Sequence, residues 1–333
     1  MKAEGMFLII SVVIMLITAL GLKFLIPILA SKKMGQKILE IGPRWHKNKE
    51  GTPTMGGISF IFATIIGFAL FLIFFSENVE IKQMICALNI IIYAILNGMI
   101  GIIDDLAKLR RAKNEGLTPM AKFAFQAIVA ILFLISMRFT IGIDTTLYLP
   151  FIDKSIELGV FYYALSFLAL CGVVNSVNLT DGIDGLASSI ALSVGVLFAI
   201  VSFLKIDDPT ITFFSAVLVG SALGFLIYNF YPARVFMGDT GSLFLGALVV
   251  SMSFLIDNVL LVLVYGFVFV GEAFSVIIQV GYFKITKGKR LFKMAPFHHH
   301  LEKCGFSEIQ IVIMLTLINA LFCSVAYFGM GNL

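Results

Sequence analysis

The chain has 333 residues, of which 59% are hydrophobic and 13% are charged. An ordinary soluble domain carries about 25% charged residues, and a single hydrophobic core stops growing at about 250–300 residues. The surplus of apolar side chains must therefore face lipid, which excludes a soluble globular enzyme and a disordered protein. The net charge of +4 is too small to indicate a polyanionic partner, and no nucleic acid is expected to bind.

Apolar runs long enough to cross a bilayer recur along the chain. A spanning helix needs roughly 20 mostly apolar residues. We predict about ten such helices, at residues 6–30, 55–75, 84–103, 120–137, 158–177, 185–204, 210–230, 241–256, 259–283 and 307–328. The predicted fold is all-α, a polytopic membrane protein with one catalytic domain over residues 1–333. Its first apolar run is too long for a cleaved signal peptide and is expected to remain as a span.

The positively charged residues predict the orientation of these helices. One set of connections holds 18 of the 24 Lys and Arg residues, and it consists of residues 31–54, 104–122, 231–240 and 284–306. The opposite set holds five. Because positively charged connections stay in the cytoplasm, we expect the first set to be cytoplasmic and both termini to lie outside. Segment 138–157, on the external side, alternates apolar and polar residues, which predicts a short β-hairpin.

Four polar clusters lie on the predicted cytoplasmic connections or at helix ends beside them. A carboxylate at membrane depth costs about 2.5–3.5 kcal/mol, so such residues are usually functional or paired. The clusters are Asp104-Asp105, Asn175 to Asp184, Gly238-Asp239 and His298-His299-His300. Their common side predicts a single site at the cytoplasmic interface.

Asp104 and Asp105 follow the third predicted span, and Lys108 comes four residues after Asp104. Adjacent carboxylates repel each other unless a cation lies near, and a hard divalent ion is a natural partner. The alternative is a solvated helix cap with an Asp–Lys pair at i,i+4. The two residues alone do not decide between these interpretations.

The segment from Asn175 to Leu186 is more specific. If it is helical, spacings of three place Asn175, Asn178, Asp181 and Asp184 on one face. This arrangement predicts a polar stripe entering an apolar helix. The alternative is that Asp181 and Asp184 are two competing helix caps. A calcium-binding EF-hand is excluded, because the loop has no acidic twelfth position.

Two further motifs allow more than one interpretation. Asp239 opens the eighth span, either as the N-cap of that helix or as a metal ligand beside an anion-binding helix start. The side chains of three consecutive histidines diverge, so His298 to His300 are better suited to phosphate contacts or acid–base chemistry than to one metal ion. Lys49 is expected to be an exposed cation, and neither Lys49 nor Thr54 has a role that spacing alone reveals.

The clusters together indicate one kind of chemistry. Clustered Asp residues suit Mg²⁺, and His and Lys residues suit phosphate oxygens. At a membrane interface, these groups favour phosphoryl transfer between a soluble and a lipid-borne partner, where catalysis is mainly positioning and charge neutralisation. The chain has no Walker A, His-Glu-x-x-His or Gly-x-Ser-x-Gly sequence, so neither nucleotide hydrolysis nor proteolysis has a motif.

These motifs resemble those of the polyprenyl-phosphate sugar-phosphate transferases. The resemblance rests on the Asp104 to Lys108, Asn175 to Gly185 and Phe236 to Ser242 segments and on the histidine triplet. Within that superfamily, residues 49–57 and 295–300 look like the bacterial phospho-N-acetylmuramoyl-pentapeptide transferase (MraY) family. The resemblance covers nearly the whole chain, with the motifs in the right order.

The resemblance implies a multi-pass protein of the bacterial cell membrane with its active site on the cytoplasmic side. It implies transfer of phospho-N-acetylmuramoyl-pentapeptide from its UDP carrier to undecaprenyl phosphate. The products are UMP and the first lipid intermediate of peptidoglycan synthesis, and thus of cell-wall biogenesis. Mg²⁺ is the implied cofactor, and a homodimer is the implied assembly.

The resemblance also implies roles for individual residues. Asp239 would bind Mg²⁺, and Asp104 and Asp105 would orient or deprotonate the lipid phosphate; these three are the expected catalytic residues. Phe236 is expected to stack on uracil, and Lys122 and the histidines to contact phosphates. The full set of expected substrate-binding residues is Lys49, Thr54, Lys108, Lys122, Asn175, Asn178, Asp181, Asp184, Phe236, His298, His299 and His300.

Alternatives remain for the mechanism and for the function. The lipid phosphate attacks the UDP-sugar directly, which we predict, or an Asp first forms a covalent phospho-sugar intermediate. An N-acetylglucosamine-1-phosphate transferase acting on the same lipid is the second candidate enzyme. A cation-coupled transporter is the third candidate, and Glu272, inside the ninth predicted span, is the residue that suits it.

Overall fold

A computed structural model describes residues 3–32, 49–75, 77, 79–111, 116–152 and 154–331. The basic residues between positions 33 and 48, which contribute to the predicted orientation, lie outside the described residues. Within these ranges the chain forms α1 (Ala3–Ser31), α2 (Ile58–Phe75), α3 (Ile81–Arg111), α4 (Pro119–Thr140), β1 (Thr146–Leu149), β2 (Lys154–Glu157), α5 (Val160–Thr180), α6 (Leu186–Leu204), α7 (Pro209–Asn229), α8 (Gly238–Leu255), a 3₁₀ turn (Val259–Leu261), α9 (Val262–Tyr265), α10 (Phe267–Ile285), α11 (Phe297–Lys303) and α12 (Glu308–Gly329).

Ten of these helices are long and apolar enough to cross a membrane, namely α1 to α8, α10 and α12. Each coincides with one of the predicted spans. The prediction of an all-α, polytopic membrane protein with about ten spans is therefore confirmed. The described part of the chain also contains the predicted hairpin, in which β1 pairs antiparallel with β2 and Thr146 lies opposite Glu157.

The third span is longer than predicted. The apolar run ends at Ile103, yet α3 continues to Arg111 and carries Asp104 and Asp105 within it. The two side chains are only 2% and 3% exposed. The interpretation of this pair as a solvated cap is therefore wrong, because hydrogen bonds and a lysine from within the protein replace water around the carboxylates.

The ninth predicted span is interrupted. Residues 259–283 were predicted as one helix, but the chain forms the 3₁₀ turn, α9 and α10, with Gly266 between the last two. A side chain of α12 satisfies the backbone at this break. Asn319 accepts a hydrogen bond from the Val268 N–H at 3.2 Å and donates one to the Tyr265 carbonyl at 3.0 Å. The break therefore leaves few polar groups unpaired in an apolar setting.

Two helices form the centre of the bundle. In both α7 and α8, 83% of the spanning window is buried, compared with 28% in α4 and 22% in α10. Helix α8 packs against α3 and α5, and α7 packs against α1 and α6. The start of α8 is thus held on several sides, and this is the helix end that carries Asp239.

Candidate active site

The predicted site residues lie where several helix ends meet. The chain passes back and forth through the bundle, so the end of α3, the start of α4, the end of α5 and the start of α8 lie at the same end of it. Six predicted residues come together there: Asp104, Asp105, Lys108, Lys122, Asn178 and Asp239. The first three come from α3, and each of the others comes from a different helix.

Three carboxylates form the centre of this group. Asp104, Asp105 and Asp239 each offer an oxygen, and the three oxygens lie within 4.8 Å of one another. The Lys108 ammonium lies 2.7 Å from Asp104 Oδ2 and 3.0 Å from Asp239 Oδ2. The predicted i,i+4 pair of Asp104 and Lys108 is therefore present, but in a largely buried setting and with Asp239 as a further partner.

Asp239 is held on its other side by α4 and α5. Lys122 Nζ donates to Asp239 Oδ2 at 2.8 Å, and the Asn178 amide donates to Oδ1 at 2.9 Å. Lys122 also donates to Asn178 Oδ1 at 3.1 Å, and Asn178 donates to the Ser242 hydroxyl. The Asp239 carboxylate is therefore oriented by side chains from three other helices.

Asp105 caps helix α8 from the neighbouring helix. Its carboxylate accepts hydrogen bonds from the backbone N–H of Asp239 at 3.2 Å and of Thr240 at 3.0 Å, and from the Thr240 hydroxyl at 2.7 Å. Met237, at the N-cap position, makes no side-chain cap. The interpretation of Asp239 as the N-cap of its own helix is therefore wrong, since Asp105 provides the acceptor that the free N–H groups need.

The polar stripe predicted from Asn175 to Asp184 is only partly helical. Helix α5 ends at Thr180, so Asp181 and Asp184 lie in the turn that leads to α6. The single-face interpretation is wrong for these two residues. Asn175 lies one turn before Asn178 and donates to Gln126 Oε1 at 2.8 Å. Asn175 therefore lies next to the site but does not contact the carboxylate cluster.

Asp181 lies close enough to the carboxylate cluster for the negative charges there to affect its pKa. Enclosure by the surrounding protein raises the pKa of the Asp181 carboxyl well above its usual range, and the negative charges of Asp239 and Asp105 raise it further. A cation bound among the carboxylates would oppose this effect.

A second ion cluster joins three distant segments. Lys49 Nζ lies 2.7 Å from Asp184 Oδ1 and 2.6 Å from Glu308 Oε2. The other oxygen of Asp184 accepts a hydrogen bond from the Ala233 N–H at 2.9 Å. The expectation that Lys49 is an exposed cation is wrong, because its side chain is only 16% exposed. Glu308 was missed, since its place in the first turn of α12 reads as an ordinary helix start.

Residues 53–57 pair with the segment that leads into α8. The Phe236 N–H donates to the Pro53 carbonyl at 2.8 Å, and the Gly56 N–H donates to the Phe236 carbonyl at 2.9 Å. Gly238 has a positive φ of 69°, and a Cβ there would meet Asp105 and the Thr54 hydroxyl. Thr54 and Phe236 therefore lie beside the start of α8, and the Phe236 side chain is half-buried.

The three histidines have different hydrogen-bonding partners, and the His298 and His299 ring centroids lie 4.2 Å apart. His298 is fully buried and contacts Glu272 of α10 through Nδ1 at 3.2 Å. His299 Nδ1 lies 2.6 Å from Glu302 Oε2. The His300 ring stacks on Phe297, and its Nδ1 accepts a hydrogen bond from the Lys293 N–H. The three rings therefore have different partners.

The carboxylate cluster has the donor set that a hard cation requires. Mg²⁺ prefers oxygen ligands and is commonly held by one or two carboxylates together with phosphate oxygens. Among the residues the structure describes, Asp104, Asp105 and Asp239 are the one group of three acidic, His or Cys side chains with this proximity. The residues fit the expected ion.

The fold and this site define a class of protein: a polytopic membrane protein with carboxylates, lysines and an amide gathered at one end of its helix bundle. Comparison with known sequences gives the family. The Glycosyl transferase family 4 model matches residues 87–257, and the phospho-N-acetylmuramoyl-pentapeptide-transferase signature 1 matches residues 49–61.

Relatives cover almost the whole chain. A phospho-N-acetylmuramoyl-pentapeptide-transferase of Clostridium acetobutylicum is 43% identical over 308 residues, which is 92% of this chain and 93% of the relative. Those of Clostridium perfringens (strain SM101 / Type A) and Listeria innocua are each 40% identical, over 91% and 90% of this chain and 90% of each relative. The chain belongs to the phospho-N-acetylmuramoyl-pentapeptide-transferase family. The names of these relatives give no support to an N-acetylglucosamine-phosphate transferase or a transporter.

Proposed function

We propose that this protein transfers phospho-N-acetylmuramoyl-pentapeptide from UDP to undecaprenyl phosphate and releases UMP. The observation that carries the proposal is the setting of Asp239, whose carboxylate is held by Lys108, Lys122 and Asn178 beside two further carboxylates. The names of the relatives support the same reaction. Such a site can bind a diphosphate and neutralise the charge that moves during phosphoryl transfer.

The roles of the residues follow from their charge and position. Asp239, with Asp104 and Asp105, would hold Mg²⁺, which supplies positive charge to phosphate oxygens when it is bound. Lys108 and Lys122 already lie within hydrogen-bonding distance of Asp239, so phosphate oxygens near that carboxylate would also be near two ammonium groups. Charges fixed before the reaction stabilise a transition state without reorganisation.

Direct attack by the lipid phosphate is the mechanism we propose. Both oxygens of Asp105 accept hydrogen bonds from the start of α8, which makes this carboxylate a weaker nucleophile for a covalent intermediate. Asp104 Oδ1 accepts a hydrogen bond from the Leu117 N–H at 2.8 Å, and its Oδ2 pairs with Lys108. These contacts suit orientation of substrates better than nucleophilic attack. A phospho-sugar trapped on either Asp, and chased into lipid product, would contradict direct attack.

The membrane location and the orientation of the enzyme are also part of the proposal. We place it in the bacterial cell membrane with the site on the cytoplasmic side and both termini outside, because 18 of the 24 Lys and Arg residues lie on the connections that the sequence predicts to be cytoplasmic. The same side gives access to a soluble UDP-sugar. A homodimer is proposed from the family resemblance alone.

The deciding experiment measures UMP release from UDP-N-acetylmuramoyl-pentapeptide by the purified protein. Four reactions contain or lack undecaprenyl phosphate and Mg²⁺, and a parallel set replaces the donor by UDP-N-acetylglucosamine. We expect UMP release only with the pentapeptide donor, the lipid and the metal together. Release from UDP-N-acetylglucosamine at an equal rate would overturn the assigned donor, and release without lipid would overturn the assigned acceptor.

A further inference from the structure

A second polar contact between α4 and α5 lies one helical turn deeper in the bundle than the site. The Asn175 amide of α5 donates to Gln126 Oε1 of α4 at 2.8 Å, and to the Cys171 carbonyl of its own helix at 2.8 Å. Gln126 is 1% exposed. Polar side chains at such a depth are rare in an apolar bundle, and the proposed reaction assigns a role to neither of these two.

The contact between Gln126 and Asn175 lies next to the one that holds Lys122. Gln126 follows Lys122 by four residues on α4. On α5, Asn175 precedes Asn178 by three residues. Positions three or four apart lie on one face of a helix. Lys122 donates to Asn178 at 3.1 Å and to Asp239 at 2.8 Å. The two contacts are therefore successive links between the same two helix faces, and the deeper one holds the backbone from which Lys122 extends.

Helix α4 has little packed surface to hold it in place. Only 28% of its spanning window is buried, and large apolar side chains such as Phe125 are half-exposed. Because lipid tails are as apolar as these side chains, burial does not drive α4 toward one position against its neighbours. Polar contacts hold it instead. In the outer half of α4, Ser136 donates to Asn89 of α3 at 2.6 Å. In the inner half, Gln126 accepts from Asn175.

Stability alone does not explain the amide of Gln126. Its Nε2 is buried and has no hydrogen-bond partner among the residues that the structure describes. A buried donor that lacks a partner lowers stability, and an apolar side chain of the same size would avoid that loss. The amide is therefore explained by the contact that its Oε1 makes, which joins α4 to α5 beside the site.

We infer that Gln126 and Asn175 are positioning residues, whose hydrogen bond sets the place of α4 against α5 so that the Lys122 ammonium lies at Asp239. The inference rests on the proposed function, in which Lys122 lies near phosphate oxygens, and goes beyond it. The family resemblance implies that Asn175 contacts the substrate, whereas its hydrogen bonds run to Gln126 and to its own helix. No motif of the sequence selects Gln126.

The first test removes the amide and keeps the size of the side chain. In Gln126→Met, the length is unchanged and the amide is absent. We expect the rate of UMP release at saturating substrates to fall about tenfold, because a small displacement of a group near the reacting atoms costs rate steeply. The temperature of thermal unfolding in detergent should change little, since the variant loses one hydrogen bond and also removes an unpaired donor.

Ser136→Ala is the matched control, because it removes the contact of α4 with α3 in the outer half of the same helix. It should leave the rate of UMP release within about twofold of the wild-type rate. An unchanged rate in Gln126→Met, or an equal loss of rate in Ser136→Ala, would overturn the inference.

The second test asks whether Gln126 acts through Lys122. Lys122→Met removes the ammonium group, and the effect of Gln126→Met is then measured in that background as a double-mutant cycle. We expect Gln126→Met to lower the remaining rate by less than about twofold, because no ammonium group is left to be displaced. A further loss of about tenfold would show a general effect on the structure and would overturn the positioning role.

Exchanging the two amides provides a rescue. In the double variant Gln126→Asn/Asn175→Gln, the summed length of the two side chains is unchanged, so a hydrogen bond between α4 and α5 can form again. We expect each single variant to lower the rate of UMP release and the double variant to recover most of it. A double variant that combines the full losses of both single variants would overturn the role of this contact.

The two proposals can fail separately, because the UDP affinity of the purified protein reports on the Lys122 ammonium without the reaction. If the wild type releases no UMP but Gln126→Met weakens UDP binding only when Lys122 is present, the proposed reaction fails and the positioning role stands. If the wild type releases UMP and Gln126→Met keeps the full rate, the reaction stands and the inference fails. If Lys122→Met alters neither UMP release nor UDP affinity, the inference is overturned, since the positioning acts through Lys122.

Discussion

Two lysines and three carboxylates share a small volume around Asp239. Lys108 and Lys122 together carry two positive charges, against three negative charges on Asp104, Asp105 and Asp239. The group thus has a formal charge of about −1 when all five are ionised. A diphosphate would add further negative charge, which the two lysines alone do not balance. This charge count supports a divalent cation at the carboxylates.

The variant Asp239→Asn tests whether a divalent cation binds at these carboxylates. The amide keeps the size of the side chain and removes the charge that would bind the metal, so we expect UMP release to fall about 100-fold or more and Mg²⁺ to bind more weakly. The measurements are UMP release over a Mg²⁺ titration and thermal unfolding in detergent.

The matched control is Asp257→Asn, which makes the same change just beyond the other end of α8. Asp257 is exposed, and its positive φ of 46° is one that Asn accepts. It should leave the rate and the metal dependence unchanged. Full activity in Asp239→Asn would show that the metal site has been assigned to the wrong carboxylate.

At the level of elements, the apolar runs predicted ten spans but not their ends. Helix α3 continues past Ile103 because Asp104 and Asp105 find partners on other elements, and a local pattern cannot show those partners. The break at Gly266 depends on Asn319, which lies more than fifty residues away along the chain. The hydrophobic pattern of the sequence therefore does not predict helix ends that depend on side chains far away along the chain.

The candidate site, like the fold, could be predicted from the sequence in part: its residues could be selected, but their contacts could not. Residue types and motif spacing were enough to select the carboxylates and Asn178, because unusual polar residues in an apolar chain are few. Lys122 was selected only through the family resemblance. The partners were not predictable. Lys49 and Glu308 are separated by 259 residues in sequence, yet their side chains form an ion pair. The hydrogen bonds that Asp105 accepts from the start of α8 likewise form only when α3 and α8 pack against each other.

The contact between α3 and α8 gives a prediction at this scale. Gly101 lies so close to the Asp239 carbonyl that a Cβ atom would clash with the backbone of α8. Gly101→Ala should therefore push the first turn of α8 away from Asp105, lower the stability by about 1–3 kcal/mol and reduce UMP release. Thermal unfolding in detergent and the rate of UMP release measure the two effects.

Gly172→Ala is the matched control, in a helix and with open space around the glycine. Alanine is favoured over glycine in a helix by up to about 1 kcal/mol, so this variant should be as stable as the wild type or more stable. If both alanine variants behaved alike, the close approach of α3 and α8 would not be what positions Asp239.

At the level of the whole molecule, the distribution of buried and charged residues fits a bundle in a bilayer. The inner helices α7 and α8 are mostly buried, and α1, α4, α10 and α12 present large apolar side chains outward. The charged site lies at one end, and the β-hairpin follows the opposite end of α4. Most of the Lys and Arg residues that the structure describes lie at the end with the site. The positive-inside tendency therefore predicts a cytoplasmic site and an external hairpin.

Cysteine labelling can test this orientation without adding a reporter at the site's end. Of the four cysteines, Cys304 is exposed, beside α11, and Cys86, Cys171 and Cys323 are buried. A membrane-impermeant maleimide should label the wild type in inverted vesicles but not in intact spheroplasts, and Cys304→Ser should abolish the labelling. In that background, Ser155→Cys, in the exposed strand β2, should give the reverse pattern. Labelling of Cys304 from outside would contradict the orientation, since the site would then face away from a cytoplasmic UDP-sugar.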